Sequence, residues 1–379
     1  MGAKPTVGRS ELLRFRFRRQ QLDRPAGTAR SRLPDLVDYG VQDTGPDGAP
    51  WALAVRGAPP KVDDLVLAWT LRGAPHAYRR DDIEAVAVAT APYDEDDAAK
   101  RVFDASKPLR DAAIPVLDAM RTMAEHQRRL VGKPTVKGEV SRRLAEQLDD
   151  PYLRWCRVCE ATHPYEQMFR LPALQGGLVL DWDTSPPVMR RLPKLKPNLL
   201  RTLASEAKPR FDVIRNHLRF YPGARVRDVA EFVDAPIKVV KAHWPADAVE
   251  VNVKGAKTTT KVEPRFVLER DLDELRPDED RSVLRVLGPF DPYVQLRDRE
   301  LLVADEGRRK DVWRTLGRPG AIVVNGEIVG SWRPKTSGKK LTVHADMWRT
   351  LPKPSRTELD EQAERLADHR TVTLVDVMT

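Results

Sequence analysis

Cysteine is nearly absent, with two in 379 residues. That excludes a disulfide scaffold and suits a reducing cytoplasm. No apolar run approaches the ~18–20 residues that span a bilayer, so no membrane association is expected. The N-terminus is basic but has no apolar h-region, which argues against a secretory signal. Gly-x-Gly-x-x-Gly and the Walker pattern do not occur, which removes the common phosphate-cradling loops of nucleotide enzymes. There is no Gly-x-Ser-x-Gly elbow either.

What is present is charge. The chain has 65 Lys and Arg against 56 Asp and Glu, a net +9. This excess suits a polyanionic partner if it is gathered on one face. The apolar fraction of 41% is that of an ordinary soluble chain. The length allows roughly two to four domains.

Four segments are expected. The first, 1–125, opens with Ser10 and "ELLRFRFRRQQL", a helix whose Arg14, Arg16, Arg18 and Arg19 read as a solvated face. Further on, Leu65, Leu67, Ala68 and Leu71 fit a buried helix ending at Gly73 and Pro75. In 126–207, Val136, Val140 and Leu144 recur four apart, with Thr135 as a cap and Glu139 in the first turn. In 208–285, "FDVIRNHL", "VRDVAEFV" and "IKVVKAHW" are three short helices. Asp234 is a cap candidate and Pro236 falls near the start of the third. Alternating Val249, Val251 and Val253 then open a hairpin. Helix-helix-helix-hairpin is the winged-helix order. It would carry Lys238 and Lys241 on the third helix and Lys254, Lys257 and Lys261 on the wing to DNA phosphates. The last segment, 286–379, reads as β, with Asn325-Gly326 a strong hairpin signal. A basic tip at Lys335, Lys339 and Lys340 follows, then a helix with Ser355 and Glu358 spaced as a capping box, and a closing strand in a small barrel or sheet.

Two constellations could carry chemistry. "CRVCEATH" offers Cys156, Cys159 and His163 at metal-like spacing. Only three ligands are local, so a packed turn beside Trp155 is preferred, and no metal or cofactor is expected. "GVQDTGPDG" offers Gln42, Asp43 and Thr44. A carboxylate and an amide beside a turn can deprotonate and orient one water. The same residues also make an Asx-type turn near Gly45, the simpler reading of these residues alone.

The chain resembles the bacterial winged-helix DNA glycosylases of the AlkZ and YcaQ type. The resemblance runs through "LLRFRFRRQQL", "GVQDT", "LAWTLRGAPHAYRRDDI", "VLGPFDPYVQLRDRELL" and "VNGEIVGSWRPKTSGKKLTV". Its ordered landmarks are the Gln motif, Arg72-Gly73 with His76, and Gly330, Trp332 and Arg333. It implies an α+β, mainly α fold: tandem winged helices in a C-shape with a C-terminal β-barrel or hairpin domain. It implies a monofunctional, cofactor-free glycosylase. This would be a cytoplasmic, nucleoid-associated monomer that hydrolyses the N-glycosidic bond of alkylated or crosslinked purines in double-stranded DNA.

The family's catalytic pair is Gln–apolar–Gln or Gln–apolar–Asp. Its first member maps onto Gln42 and its third position onto Thr44, while Asp43 stands where the family is apolar. The roles implied are Gln42 orienting water, Asp43 as base and Thr44 assisting, with Arg72 and His76 at the DNA backbone. On an extended segment Gln42 and Thr44 converge and Asp43 points away. In a kinked helix start Gln42 and Asp43 would both reach one water. The other class of reading is a DNA-binding sensor, protector or regulator without catalysis.

Overall fold

A computed structural model describes residues 4–25, 33–57, 62–255, 263–275 and 282–379. The expected wing residues Lys257 and Lys261 lie outside the described residues.

The opening helix spans Arg9–Arg19, with the Gly8 amide bound to Glu11 Oε2 at 2.7 Å. Its arginines are not a solvated stripe. Arg16 is fully buried and makes a two-pronged pair with Asp298, at 2.7 and 3.2 Å, while Arg265 reaches the same carboxylate at 3.0 Å. Arg19 pairs with Asp271. The short strand Thr6–Gly8 runs parallel to Ala248–Lys254, which pairs antiparallel with Arg265–Leu268.

Leu65–Trp69 is a strand, not a helix. All five of its residues are buried, so the run lacks the polar face that separates a strand from a helix by pattern. It pairs with Pro75–Arg79 in a six-stranded antiparallel sheet. The order is Val41–Gln42, Pro75–Arg79, Leu65–Trp69, Leu178–Leu180, Val188–Arg191, Thr135–Val136. The segments 1–125 and 126–207 therefore share one sheet rather than folding apart. Thr135 is a strand residue here, and the helix that follows, Lys137–Ala145, has no side-chain cap.

The three expected helices are Val213–Phe220, Val226–Val233 and Ile237–Ala242, followed by the antiparallel pair already named. Asp234, with φ 61°, ends the second helix in the left-handed region instead of capping the third. Ala224, between the first two helices, bridges to Phe266 of the pair.

The C-terminal segment is a five-stranded sheet in the order Leu284–Leu287, Gly320–Val324, Glu327–Ser337, Lys340–Met347, Thr373–Met378. Among the described residues no pairing joins its first and last strands, so it is an open sheet and not a closed barrel. Asn325 and Gly326 take φ of 48° and 90°, the left-handed pair that a tight two-residue hairpin requires. The helix Lys353–His369 packs on this sheet. Ser355 does not cap it. Ser355 is buried, and Glu358 instead accepts from the Leu284 amide at 2.8 Å. With four sheets and its helices among the described residues, the fold is mixed α+β. The largest core joins the first helix, the three-helix unit and the C-terminal sheet, and a second lies under residues 67–200. No described helix is long and apolar enough to cross a membrane.

Candidate active site

Gln42 ends a two-residue edge strand, opposite His76. The ladder continues one residue further, because the Asp43 amide donates to Pro75 O at 2.9 Å. Extended backbone sends alternate side chains to opposite sides. Gln42 Nε2 accordingly donates to Thr44 Oγ1 at 3.0 Å. Asp43 turns the other way, where its Oδ1 accepts the Ala49 amide at 2.9 Å at the start of the helix Ala49–Ala54. Gly48 makes room for this: a Cβ there would stand 2.2 Å from Asp43 Oδ1. Oδ2 of Asp43 has no hydrogen-bond partner among the described residues, and the residue is only half-buried. Burial pushes the Asp43 carboxyl above the usual range and the Asp183 charge adds to the rise, while the Ala49 amide opposes it.

Arg72 holds the amide from the other side. Its Nη2 donates to Gln42 Oε1 at 3.0 Å, and its Nη1 to Phe232 O, on the second of the three helices, at 2.7 Å. The guanidinium lies over the Phe232 ring, 4.3 Å from its centre. Phe232 in turn stacks on Tyr39 at 5.4 Å. Arg72 sits in the left-handed region, φ 57° and ψ 22°, and Arg170 donates to the next carbonyl, Gly73 O, at 3.1 Å. Burial and the neighbouring Arg297 charge pull Arg72 down to about 10, so it remains a cation at neutral pH.

His76 is not at the surface. It is buried, with Nδ1 2.9 Å from Ala74 O and 3.1 Å from Thr70 Oγ1. Burial and the Arg72 charge lower it to about 3, leaving a neutral ring that cannot serve as a phosphate cation. The His76 contacts are internal and Arg72 is bound to Gln42 and Phe232, so Arg72 holds Gln42 while His76 sits opposite it across the strand pair.

The turn after the motif is fastened to the C-terminal segment. Asp47, buried, pairs with Arg370 through contacts of 2.8 and 2.5 Å. Trp51 Nε1 donates to Val286 O at 3.1 Å. Arg56 forms a buried two-pronged pair with Asp291 at 2.7 and 2.9 Å. Nothing in the sequence pairs residues so far apart, so these supports are not legible in it.

Beside Arg72 lies Arg297, which with Arg299 and Arg318 makes a group that sequence reasoning also missed. Among the described residues none makes an ion pair, although the Glu231 carboxylate lies near enough to Arg299 to raise it. Burial lowers Arg299 and Arg318, and mutual repulsion, chiefly from Arg297, lowers them further. Arg318 lies over Phe290 at 4.9 Å and Arg299 over Trp313 at 5.3 Å.

The lysines expected at DNA fare unevenly. Lys335, Lys339 and Lys340 are exposed at the end of the Glu327–Ser337 and Lys340–Met347 hairpin, with no acidic partner among the described residues. Lys241 and Lys254 are exposed too. Lys238 instead pairs with Asp96, and Arg333 with Asp311 at 3.2 Å. Cys156, Cys159 and His163 are brought together on a separate two-stranded hairpin.

The model of the AlkZ-like DNA glycosylases matches residues 40–369, from just before Gln42 to the end of the last helix. The chain belongs to this family. Among solved structures it is similar to Streptomyces sahachiroi DNA glycosylase AlkZ, at 19% identity and a TM-score of 0.71, over 98% of this chain and 99% of that one. At that identity the likeness speaks to the fold. Comparison with curated proteins finds no match. The AlkZ-like match takes in the motif, Arg72 and His76, the arginine group and the basic hairpin.

Proposed function

We propose that the chain is a monofunctional DNA glycosylase that hydrolyses the N-glycosidic bond of alkylated or crosslinked purines. The observation that carries this reading is the Gln42–Thr44 pair at 3.0 Å, clamped from behind by Arg72. A purine alkylated on a ring nitrogen is cationic and leaves readily, so the enzyme has little to do beyond placing a water at the anomeric carbon. Gln42 fixes that water and the Thr44 hydroxyl assists. Fixed geometry of this kind removes much of the entropic barrier. The half-buried Asp43 lies on the opposite side of the strand, bound to the Ala49 amide, so it reaches the site through its charge and not through contact with the water held by Gln42 and Thr44. Its negative charge helps to balance the oxocarbenium charge that develops on the sugar.

Duplex DNA is held by the basic elements. In this reading the three helices and the antiparallel pair form a winged-helix unit, one of several in a C-shaped cradle. Lys335, Lys339 and Lys340 meet the groove or its phosphates. Arg297, Arg299 and Arg318, which make no ion pair among the described residues, take a phosphate flanking the lesion.

The test is an abasic-site assay under single-turnover conditions on duplexes with alkylated or crosslinked purines. Wild type is expected to give product, Gln42→Ala about 10²-fold less or worse, and Asp43→Asn and Thr44→Ala intermediate losses. Tight, salt-sensitive binding with no product on any lesion would instead favour a non-catalytic DNA-binding protein.

A further inference from the structure

We propose that Cys156, Cys159 and His163 bind one zinc ion that staples the hairpin Leu153–Cys156 and Ala161–Pro164. The inference is independent of the glycosylase reading. The three ligand atoms all lie within 4.8 Å of one another. Tetrahedral zinc, at about 2.3 Å from sulfur and 2.0–2.1 Å from nitrogen, sets such atoms roughly 3.4–3.8 Å apart. Side-chain rotations of about an ångström close that difference, with no change of backbone.

The histidine is already committed to the right form. His163 Nδ1 lies 2.9 Å from Pro164 O, so that nitrogen carries the proton and donates to the carbonyl. Nε2 then keeps its lone pair for a metal. A ligating imidazole is held in the same way, its other N–H given to a carbonyl. The set Cys-x-x-Cys-x-x-x-His is also neutral as a complex. The two thiols give up their protons, and two thiolates balance the divalent ion. No fourth protein ligand joins the group among the described residues, so the fourth position belongs to solvent.

The hairpin needs such a staple. Its two strands pair only with each other and join no other sheet among the described residues. A lone two-stranded hairpin is marginal in water. Packing does not hold its tip, since Trp155 is 65% exposed and Val158 93%. Below the tip, the returning strand rests on the helix Lys137–Ala145, and the first strand is held by Leu153 on the second core and by Arg154 paired with Asp104 at 3.1 Å. A metal clip compensates for a missing core in small units of this kind.

The experiment uses the full chain, expressed with zinc and purified under reducing conditions without chelator. Metal content by mass spectrometry is expected to be about one zinc per chain. It should fall at least tenfold in Cys156→Ser, Cys159→Ser and His163→Gln, with the far-UV circular dichroism unchanged. Cobalt(II) titrated into metal-free wild type should give a thiolate-to-metal charge-transfer band that Cys156→Ser abolishes. The cobalt band decides the matter even where a variant folds poorly. Zinc far below one per chain together with no cobalt band would overturn the proposal. So would a Cys156–Cys159 disulfide, found by intact mass in the reduced preparation.

Discussion

Arg72 donates to the Oε1 of Gln42 at 3.0 Å while its other terminal nitrogen donates to Phe232 O at 2.7 Å. One guanidinium thus ties the amide of an edge strand to the backbone of a helix more than 150 residues later in the chain. Gln42 can then present only one amide orientation. Its oxygen is occupied by Arg72, and its nitrogen is directed at Thr44.

The first prediction follows from that clamp. Arg72→Lys keeps a positive charge but cannot make both contacts, because an ammonium is a point charge and not a planar fork. Gln42 then loses its fixed orientation. Cleavage of an alkylated purine is expected to drop about 10–10²-fold in the single-turnover rate, with duplex affinity changed little. A fall in affinity with an unchanged rate would make Arg72 a DNA contact and not a positioning residue.

Asp43 predicts a pH dependence. Its carboxyl is raised above the usual 3.8 in the folded chain, by burial first and by Asp183 second. A carboxylate that balances a cationic transition state acts only when deprotonated, so the rate falls on the acid side, with a midpoint above 3.8. Asp183→Asn removes a neighbouring negative charge and should shift that midpoint down. Asp43→Asn should lose the acid limb together with most of the rate. The check is a rate profile from pH 4 upward, within the stable range of each variant, on a lesion whose own pKa lies outside the window.

How far the sequence exposes this arrangement depends on whether the signal is local. The Asn325-Gly326 hairpin and the three helices after residue 212 are written in adjacent residues, through turn chemistry and apolar spacing, and they form as read. Leu65–Trp69 is buried on both faces, so its pattern carries no period, and it reads as helix while folding as strand. The direction of Asp43 depends on an amide six residues on and on the glycine that lets it approach. Arg16 looks like one arginine among four on a basic helix. Its burial is decided by Asp298, 282 positions away. The lone arginines 297, 299 and 318 are visible only once every carboxylate has found its partner.

The buried charge cluster around Asp298 gives a stability prediction. Asp298 compensates both Arg16 and Arg265, and all three are buried or nearly so. Asp298→Asn keeps the shape and leaves two guanidiniums without a counter-charge. Breaking a buried pair from one side costs about 3–5 kcal/mol, and the urea midpoint should fall accordingly. The sign with pH is also fixed. The two arginines hold Asp298 below the usual carboxylate range against its burial. Its contribution is therefore complete above the unfolded-state value near 3.9 and is lost as pH falls through the lower folded value. The variant should show a shallower loss of stability in that acid window.

The basic hairpin gives the last prediction. Lys339 and Lys340 stand at the tip where Ser337 pairs with Lys340, exposed and without acidic partners among the described residues. Each phosphate contact contributes about 0.9 to the slope of log affinity against log salt. Replacing both lysines with alanine should therefore reduce that slope by about 1.8, weakening binding most at low salt. Lys310 is an apt control. It is exposed as well, but Glu306 neutralises it at 2.8 Å, so Lys310→Ala should leave the slope unchanged. Fluorescence anisotropy on one duplex across a salt series reads both. Equal slopes for the hairpin variant and wild type would place the DNA elsewhere and shift the burden to Arg297, Arg299 and Arg318, whose substitutions would then have to carry the loss.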